Sequence, residues 1–582
     1  MRLQSLPRED VAADANNPAA GGVPKRSGTR RFRQVLLGDR RDTPAPATNG
    51  SFVPGGDDAR RAAAAHNSSV GESQTRWMES YPRRTRVGSI GSAADSGTDL
   101  TRPDLSLLHD DMDVDLPPTP RHDFVDLMPD EILLHIFGFL GGSDLSSVQL
   151  VSRKWRAITE DSCIWRSLFL RNYGRRVPSI PPPVQVGGCG AGRSNQPMQQ
   201  WKKMFLARKQ LDYNWRQGAR GAGKAIYLSG HTDSVYCVQF DENKIITGSR
   251  DRTIRVWDTN TYECIRVIGG PAAKPVSLPK VLRTVDYPHF HKATASVNGT
   301  PRGDAIFHVP KYWHDASVLC LQYDEEILIT GSSDSSLIVW DIKTYEPITR
   351  LSRHTGGVLD VALDTKHIVS CAKDSRIIVW DRATFKYKGE LLAHRGPVNA
   401  IQLRGKMLVS ASGDGVARLW DISTMKLVKE FTAKERGLAA VEFSEDMQYV
   451  LAGGNDHITY KFEVDSGFEE QQFTGHTQLV RSLWLDSANN RVVSGSYDLD
   501  VRVYDFATGE EIWRAAEWTT SWMLAAKSDY RRIVATSQDG RVLLIDFGLN
   551  KGGPDDGKPI PNLELLRDRD YPHEAKWHRD GV

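Results

Sequence analysis

Residues 231–258, HTDSVYCVQFDENKIITGSRDRTIRVWD, contain the pattern that decides the fold of this chain. A His is followed by an Asp 20 residues later and by a Trp-Asp pair 6 residues after that Asp. Three further copies with the same order and spacing begin at His314, His354 and His394. The chain therefore contains a repeat of about 40 residues.

Three weaker copies follow the four regular ones. Their matching residues are Lys434, Asp456 and Tyr460, then His476, Asp498 and Tyr504-Asp505, then Asp539 and Ile545-Asp546. A repeat of this length that ends in Trp-Asp is typical of a WD40 β-propeller, in which each repeat builds one four-stranded blade. We therefore predict an all-β, seven-bladed WD40 propeller over residues 224–547. Because the sequence repeat is offset from the blade, residues 225–228 are predicted to form the outer strand of the seventh blade, which removes an exposed sheet edge.

One interval between copies is longer than the others. His231 and His314 are 83 residues apart, and the excess, residues 269–311, contains several Pro and Gly residues and little strand pattern. We predict a loop inserted between the first two blades. A degenerate eighth blade is the alternative, although this segment has no Trp-Asp pair that could end one.

The chain outside the propeller divides into four regions. Residues 1–120 are rich in Arg, Ala, Gly, Ser, Asp and Pro without a helix or strand period, and are predicted to be a disordered arm. Residues 121–170 are predicted to form a small all-α domain. Residues 171–223 are predicted to be a linker, and residues 548–582 a C-terminal tail.

Helix signals locate three segments within the small domain and one in the linker. Pro129 suits a first helical turn, Gly141-Gly142 a helix end, and Asp144 the N-cap of a second helix that runs as far as Trp155. A third segment follows from Ile164. In the linker, the Pro- and Gly-rich residues 176–197 predict a flexible loop, and the sequence from Trp201 to Asp212 predicts a helix.

Composition limits the classes of partner and compartment. The formal net charge is +2, so a general preference for nucleic acid or membrane is not indicated. The six cysteines are scattered without a CxxC pair, which fits a reducing compartment. The first residues lack an apolar signal region, and no stretch approaches 18 apolar residues. We expect a protein of the cytoplasm, the nucleus or both.

His, Ser or Thr, Asp and Trp recur in each regular repeat. His with Asp and Ser also occurs in hydrolases, but an active site appears once in a chain, whereas this set appears four times at identical spacing. We interpret it as a buried hydrogen-bond chain that ties a turn to a Trp on a neighbouring strand. The sequence has no P-loop, GxSxG, HExxH or paired Cys/His motif, so we predict no catalytic residue, no metal and no cofactor.

Two positions in each repeat are expected at one rim of the ring. One is the residue before the turn Asp, which is Arg250, Ser333, Lys373, Gly413 or Tyr497. The other lies near the start of the first strand and is Tyr236, Ser317, Leu359, Asn399 or Arg481. Equivalent residues of different blades converge on the mouth of the central channel. The set includes four cations from different blades, Arg250, Lys373, Arg436 and Arg481. Because a guanidinium group can bind phosphate through two hydrogen bonds, we predict a phosphorylated peptide as the ligand.

Part of the small helical domain resembles an F-box. The resemblance lies in LMPDEI at 127–132, VSRKW at 151–155 and WRSLF at 165–169. It implies docking on a Skp-type adaptor, which connects to a cullin and a RING protein in an SCF ubiquitin ligase. The alternative is that the apolar residues pack on the propeller. The residues that the resemblance assigns to adaptor contact are Leu127, Pro129, Glu131, Ile132, Leu133, Ile136, Phe137, Leu140, Val151, Trp155 and Trp165.

The propeller resembles that of the beta-transducin-repeat-containing group of F-box/WD40 proteins. Residues 235–258 and 317–341 carry most of the similarity, and NWRQG at 214–218 resembles the linker of such proteins. The resemblance implies binding of a doubly phosphorylated Asp-Ser-Gly-x-x-Ser degron. The residues that it assigns to degron contact are Tyr236, Arg250, Ser317, Ser333, Leu359, Lys373, Asn399, Gly413, Arg436, Gly437, Leu479, Arg481 and Tyr497.

Two departures from that group affect the predicted ligand. Where the group has an Arg in the seventh blade, this chain has Ser521-Trp522, so we expect fewer or differently spaced phosphates in the degron. The insertion at 269–311 lies between two blades that contribute to the site and is expected to cover or extend the binding face.

The sequence therefore predicts the substrate-recognition subunit of an SCF ubiquitin ligase, which performs no covalent step itself. The expected partners are the adaptor and phosphorylated proteins, but neither nucleic acid nor membrane. A scaffold that binds the adaptor without recognising a degron is one alternative, and nucleic-acid binding through the basic rim is another. We also consider Asp95-Ser96-Gly97 in the arm as a ligand of the chain's own propeller.

Overall fold

The computed structural model describes most of the chain beyond the N-terminal arm. The described residues are 123–174, 188–193, 198–217, 223–274, 292–294, 306–431, 434–550 and 554–568. The predicted disorder of residues 1–120 and the self-ligand hypothesis at Asp95-Ser96-Gly97 fall outside these ranges.

Within the described ranges, six helices precede the propeller. They are α1 Phe124–Leu127, α2 Asp130–Phe137, α3 Gly142–Val148, α4 Arg153–Thr159, α5 Ser162–Tyr173 and α6 Trp201–Trp215. The all-α domain is as predicted, but the predicted second helix is two helices, because Ser152 caps α4 by accepting the Trp155 N–H at 3.3 Å. Asp144 is not an N-cap residue as predicted. It lies inside α3, where its carboxylate accepts the N–H of the capping Gly141 at 3.3 Å.

Thirty strands follow. They are β1 Lys224–Ser229, β2 Val235–Phe240, β3 Lys244–Ser249, β4 Ile254–Asp258, β5 Cys264–Ile268, β6 Lys292–Thr294, β7 Phe307–His308, β8 Val318–Tyr323, β9 Ile327–Ser332, β10 Ser336–Asp341, β11 Pro347–Ser352, β12 Val358–Leu363, β13 His367–Ala372, β14 Ile377–Asp381, β15 Tyr387–Leu391, β16 Val398–Arg404, β17 Met407–Ser412, β18 Ala417–Asp421, β19 Lys426–Glu430, β20 Leu438–Phe443, β21 Tyr449–Gly454, β22 Thr459–Glu463, β23 Glu469–Phe473, β24 Val480–Asp486, β25 Arg491–Ser496, β26 Val501–Asp505, β27 Glu511–Ala515, β28 Met523–Ser528, β29 Arg532–Ser537 and β30 Arg541–Asp546.

These strands form seven sheets, which are the seven predicted blades. Blade 1 contains β2 to β5, and blades 2 to 6 contain β8–β11, β12–β15, β16–β19, β20–β23 and β24–β27 in turn. Blade 7 contains β28 to β30 and takes its outer strand, β1, from the start of the propeller. β1 runs antiparallel to β30, from Lys224 opposite Asp546 to Ser229 opposite Arg541. The predicted ring closure is therefore confirmed.

The insertion between blades 1 and 2 is not only a loop. Its described residues include β6, which pairs in parallel with β1, and β7, which pairs in parallel with β5. They add a fifth strand to the outer edges of blades 7 and 1. The prediction was wrong for these residues because two or three residues carry no readable strand period, whereas the open edge of an outer strand can pair with a short extended segment. The described strands form no eighth blade.

Each regular repeat forms the predicted hydrogen-bond chain. In blade 1 the His231 ring lies 2.9 Å from the Asp251 carboxylate through Nδ1 and 2.8 Å from Thr247 Oγ1 through Nε2. The Trp257 indole donates to the same Thr247 hydroxyl at 3.0 Å. The chain recurs from His314, His354 and His394. It ties the turn that follows the second strand of a blade to the blade's third strand.

A single core connects the small domain, α6 and the propeller. Near the start of α6, the Phe205 ring packs on Trp165 of α5 with centroids 5.6 Å apart. At its end, Trp215 stacks on Phe547 at 3.7 Å and donates its indole N–H to the Tyr530 carbonyl at 3.1 Å. The predicted linker helix is confirmed and extends three residues further than predicted, to Trp215.

The predicted flexible loop and the predicted C-terminal tail are both packed where the structure describes them. Ala191 N, in the predicted loop 176–197, donates to the Asp568 carboxylate at 2.9 Å, and Gly192 N donates to the Leu566 carbonyl at 3.3 Å. In the predicted tail, Leu563 and Leu566 are buried in the core. Glycine-rich composition suggested flexibility, but glycine also allows the close backbone approach that is found here.

Candidate binding face of the propeller

The inner strand of every blade has a β-bulge at its start. In blade 1, Val235 pairs with Ser249 and Cys237 pairs with Gly248, so Tyr236 is the extra residue. The equivalent residues, which we call the bulge ring, are Tyr236, Leu319, Leu359, Asn399, Ala439, Arg481 and Leu524. A bulge re-aims the side chain of the extra residue. All seven line the central channel.

A second set of residues surrounds the bulge ring. In each blade, the residue before the turn Asp, or its counterpart, donates its N–H to the carbonyl of the residue that precedes the inner strand, at 2.8 to 3.1 Å. These turn pairs are Arg250 with Ser234, Ser333 with Ser317, Lys373 with Gly357, Gly413 with Pro397, Asn455 with Gly437, Tyr497 with Leu479, and Gln538 with Trp522. The turn pairs therefore lie at the same end of the inner strands as the bulges.

The structure brings the predicted degron-contact residues together at this end of the ring. All of them except Arg436 belong to the bulge ring or the turn pairs, and Arg436 directly precedes Gly437. One equivalence was wrong: Ser317 was grouped with Tyr236, but Leu319 is the bulge residue of blade 2 and Ser317 belongs to a turn pair. The error arose because Ser317 and Leu319 lie on either side of the first residue of the strand, Val318. Only the pairing of this strand with its neighbour shows which of the two is the bulge residue.

Sequence reasoning also missed positions in both sets. The missed bulge residues are Leu319, Ala439 and Leu524, and the missed turn residues are Asn455 and Gln538. Blades 5 and 7 are built from divergent repeats. The bulge and turn positions of these two blades could have been found only by extending the spacing of the regular copies.

The four predicted cations have different environments. The Arg436 side chain is exposed, and its Nη1 donates to the Asn455 carbonyl at 3.3 Å. Arg250 Nε lies 4.0 Å from the Asp233 carboxylate. Lys373 is half-buried, and this burial lowers the pKa of its ammonium group. Arg481, from the bulge ring, lines the channel itself.

The seventh-blade side of the mouth is apolar. Trp522 is 2% exposed and stacks on Tyr497, whose pKa is raised by burial, so the phenol stays neutral. This pair belongs to a cluster of side chains from blades 1, 5, 6 and 7. The cluster contains Tyr236, Ala439, Leu479, Tyr497, Leu499, Trp522 and Leu524. Where the resembling group has an Arg, this chain therefore has a buried indole.

Several predicted contact residues support the mouth from beneath its surface. Asn399 is buried, and its Nδ2 donates to the Leu438 carbonyl of the next blade at 2.7 Å. Leu359, Leu479 and Tyr497 are also buried. Any direct contact with a ligand would have to come mainly from the more exposed cations and serines of the set.

Charged side chains also lie deeper in the channel, where the sequence analysis had not placed them. Asp360 accepts the N–H groups of Val361 and Ile401, each at 2.9 Å, and so bridges blades 3 and 4. Glu442 accepts a hydrogen bond from Gln402, and burial raises its pKa to about 7. No group of three His, Cys, Asp or Glu side chains among the described residues could hold a metal ion.

The small helical domain presents an apolar face. Leu127, Phe139 and Leu150 are 70%, 71% and 81% exposed, although large apolar side chains are usually buried. Of the residues predicted to contact an adaptor, six are exposed: Leu127, Pro129, Glu131, Ile132, Ile136 and Val151. Phe139 and Leu150 were missed because neither lies in the motifs that carry the resemblance.

The remaining predicted adaptor contacts belong to the domain interior. Leu133, Phe137 and Trp165 are buried in the core, and Leu140 and Trp155 are half-buried against it. They were assigned as contacts by the resemblance, but Leu133, Phe137 and Trp165 are at most 2% exposed. In this structure these five side chains belong to the packing of the domain and not to its exposed apolar face.

Family models match both parts of the chain. An F-box-like model matches residues 125–171. A model of the WD domain, G-beta repeat, matches residues 224–258, 309–341, 345–381, 385–421 and 467–505. The chain therefore contains an F-box-like region followed by WD40 repeats, which build the seven-bladed propeller.

Three curated proteins are similar to part of this chain. A probable E3 ubiquitin ligase complex SCF subunit, sconB, from Arthroderma otae is 30% identical over 25% of this chain and 24% of its own length. F-box and WD repeat domain-containing 11-A from Danio rerio is 27% identical over 27% of this chain and 30% of its own length. F-box/WD repeat-containing protein 7 from Drosophila melanogaster is 29% identical over 26% of this chain and 11% of its own length.

These alignments span only part of each protein. The chain covers about a quarter of the length of the first curated relatives that it matches. The crystal structure of the WD40 beta propeller domain of Doa1 aligns with a TM-score of 0.44 and 18% identity, over 55% of this chain and 95% of that one. None of the helices in the described ranges is long and apolar enough to span a membrane.

Proposed function

We propose that this protein is the substrate-recognition subunit of an SCF ubiquitin ligase. The F-box-like domain docks a Skp-type adaptor, and through it a cullin and a RING protein. The mouth of the propeller binds a phosphorylated segment of a protein substrate. The chain performs no covalent step; it contributes proximity between the substrate and the partner that carries ubiquitin. We expect this assembly in the cytoplasm, the nucleus or both.

The exposed apolar face supports adaptor docking. Leu127, Phe139 and Leu150 remain largely exposed although the domain has its own buried core around Leu133 and Trp165. An exposed cluster of large apolar side chains is typical of a protein interface. The named SCF subunit among the similar proteins supports an adaptor of the Skp type as the occupant.

The observation that carries the proposal for the propeller is the placement of cations from four blades at one end of the inner strands. Arg250, Lys373, Arg436 and Arg481 come from blades 1, 3, 5 and 6. Guanidinium groups bind phosphate through charge-assisted hydrogen bonds, which are stronger than neutral ones. A ligand with one or two phosphates would bring its negative charge to the end of the ring where these four cations lie.

The apolar seventh-blade side of the mouth limits where a bound ligand can carry its charge. Trp522 fills the position of a cation, so one side of the mouth offers packing but no charge. The cations that remain are distributed over blades 1 to 6. We therefore propose a degron whose phosphates lie toward these blades, with an uncharged or weakly charged segment toward blade 7.

Fluorescence anisotropy on the adaptor-bound protein tests the propeller half of the proposal. The ligands are a doubly phosphorylated Asp-Ser-Gly-x-x-Ser peptide and its unphosphorylated twin. Arg436→Glu is the test variant, and Lys343→Glu, an exposed charge in the turn at the other end of blade 2, is its matched control. We expect phosphate-dependent binding that Arg436→Glu abolishes and Lys343→Glu retains. Equal binding of both peptides would contradict the proposal and favour a scaffold without degron recognition.

A further inference from the structure

Two neighbouring segments of the linker meet a third segment, from after the last blade, beneath the propeller. They are residues 188–193, helix α6 and residues 554–568. We call the first and third of these segments the collar. The collar joins residues 188–193, which follow the F-box-like domain, to residues 554–568, which follow the last blade. Both segments lie against α6 or against residues that pack on it.

One carboxylate holds the two halves of the collar together. Asp568 accepts the N–H groups of Cys189 and of Ala191, the latter at 2.9 Å. Its own N–H donates to Glu242 Oε1 of blade 1 at 3.4 Å. Asp568 therefore links the F-box side of the linker, the C-terminal segment and the propeller at one point.

The glycines of the collar allow backbone to pass where a side chain could not. A Cβ atom on Gly188 would lie 2.6 Å from Glu242 Oε1. Gly190 has a φ of +68°, and a Cβ there would lie 2.5 Å from the Tyr530 ring and from the Arg208 guanidinium. At these distances side chains would clash, so the glycine-rich sequence fits this junction and is not only a flexible spacer.

A buried Arg lies at the centre of the junction. Arg208 of α6 is 1% exposed, and its guanidinium lies 5.3 Å from the Tyr173 ring at the end of α5 and 5.2 Å from the Tyr530 ring of blade 7. It also donates a hydrogen bond to Asn489 of blade 6. The F-box-like domain, the linker helix and two blades thus meet around one side chain, and Gly190 of the collar packs against it.

The C-terminal half of the collar is anchored to the propeller on both sides of this point. Asp556 accepts from Lys224 Nζ of β1 at 2.8 Å, and Arg567 donates to Asn260 of blade 1 at 3.0 Å. Between these anchors, Leu566 is buried. The collar therefore adds contacts with blade 1 and β1 to those that α6 itself makes with blades 6 and 7.

We infer that the collar, held by Asp568, is a positioning element that fixes the F-box-like domain relative to the mouth of the propeller. This inference rests on the proposed function, because a fixed orientation matters only if both ends carry a partner. Its consequence is that the substrate's lysines are held at a defined distance from the ubiquitin carrier. Small misplacements in such an arrangement lower rates by up to about 100-fold.

The test uses the full chain in the assembled ligase with a phosphopeptide-bearing substrate. The variants are Asp568→Ala and a chain that ends at residue 553, and Lys558→Ala is the control, because its ion pair with Asp555 is exposed. We expect Asp568→Ala and the truncation to leave peptide affinity and KM unchanged, to lower kcat by about tenfold, and to spread ubiquitin over more lysines. An unchanged kcat and lysine pattern in both variants would overturn the inference.

A second measurement does not depend on the ligand. Cys163 is exposed on α5 and can carry one spin label, and Lys343→Cys supplies a second on the propeller. We expect a single narrow distance distribution that Asp568→Ala broadens and Lys558→Ala does not. If the distances broaden but the wild-type chain fails to bind the phosphopeptide, the proposed function fails and the collar stands. Equal widths in all variants would overturn the collar.

Discussion

The Tyr497 ring stacks on the Trp522 indole with centroids 4.1 Å apart and planes 10° apart. The pair joins blade 6 to blade 7 directly beside Arg481. The contact therefore holds two blades together on the apolar seventh-blade side of the mouth.

Truncation of Trp522 tests the structural part of this contact. Trp522→Ala removes a buried aromatic side chain and should lower the free energy of unfolding by about 3 to 5 kcal/mol. Ser521→Ala, in the neighbouring residue, removes only a hydrogen bond to Gln538 of 2.8 Å and should cost about 1 kcal/mol. Chemical denaturation of both variants gives the comparison. Equal losses would mean that Trp522 is not packed as described.

The blade hydrogen-bond chain can be separated from blade packing at Trp380. Its indole N–H donates to Ser370 Oγ at 3.0 Å. Trp380→Phe keeps most of the ring but removes this donor, and should cost about 1 to 2 kcal/mol. Trp380→Ala should cost about 3 to 5 kcal/mol. A neutral Trp380→Ala variant in thermal melting would contradict the register of blade 3.

Acid should weaken the same chain through Asp374. Burial alone would raise the pKa of this carboxyl, but the hydrogen bonds from His354 and the Thr355 N–H lower it to about 2. Because the folded-state pKa lies below the ordinary value of 3.8, the stabilisation is present above pH 3.8 and is lost as the pH falls toward 2. Asp374→Asn should lower the stability at pH 7 and flatten the pH dependence between these values, which melting across this range would measure.

Glu242 should give a pH dependence of the opposite sign. Burial, followed by the charges of Asp568 and Asp529, raises the pKa of this carboxyl to about 7 from 4.5. The folded state therefore holds the proton more tightly, so stability is greatest below pH 4.5 and falls as the pH rises through 7. The effect is on the order of 3 kcal/mol. Glu242→Gln should remove this decline, and an unchanged pH profile in that variant would contradict the assignment.

The exposed and buried residues of the F-box-like domain should respond differently to the same substitution. Leu127→Asp, on the exposed face, should abolish adaptor binding and leave the melting temperature unchanged. Leu133→Asp places a charge in the core and should unfold the domain. Adaptor pull-down and thermal melting of both variants provide the test. Retained adaptor binding by Leu127→Asp would show that the exposed apolar face is not the docking site.

The regular repeats made most of the fold predictable. The spacing of His231, Asp251 and Trp257 sets the register of a blade, and four such copies fix the ring and its closure. The same spacing placed the rim positions, whereas the degron-contact residues were assigned by the resemblance. Ser317 and Leu319 were confused because the bulge depends on strand pairing, which a sequence does not display.

Contacts between distant segments were not predictable. Asp568 lies 377 residues from its partner Ala191. Neither segment carries a periodic pattern from which this contact could be predicted. The split of α3 and α4 was missed because the apolar spacing continues across Ser152, while a single hydroxyl cap decides where the second helix begins. The two strands of the insertion were missed because they are too short to show a period.

Reconstituted ubiquitylation tests the central claim most directly, because it requires the F-box-like domain and the propeller mouth to act together. The substrate is a protein that carries the degron in phosphorylated or unphosphorylated form, and the chains are the wild type, Leu127→Asp, Arg436→Glu and the control Lys343→Glu. Our account predicts ubiquitin transfer to the phosphorylated substrate only, lost in Leu127→Asp and in Arg436→Glu and retained in Lys343→Glu. Equal transfer to both substrates, or transfer that survives both test variants, would contradict it.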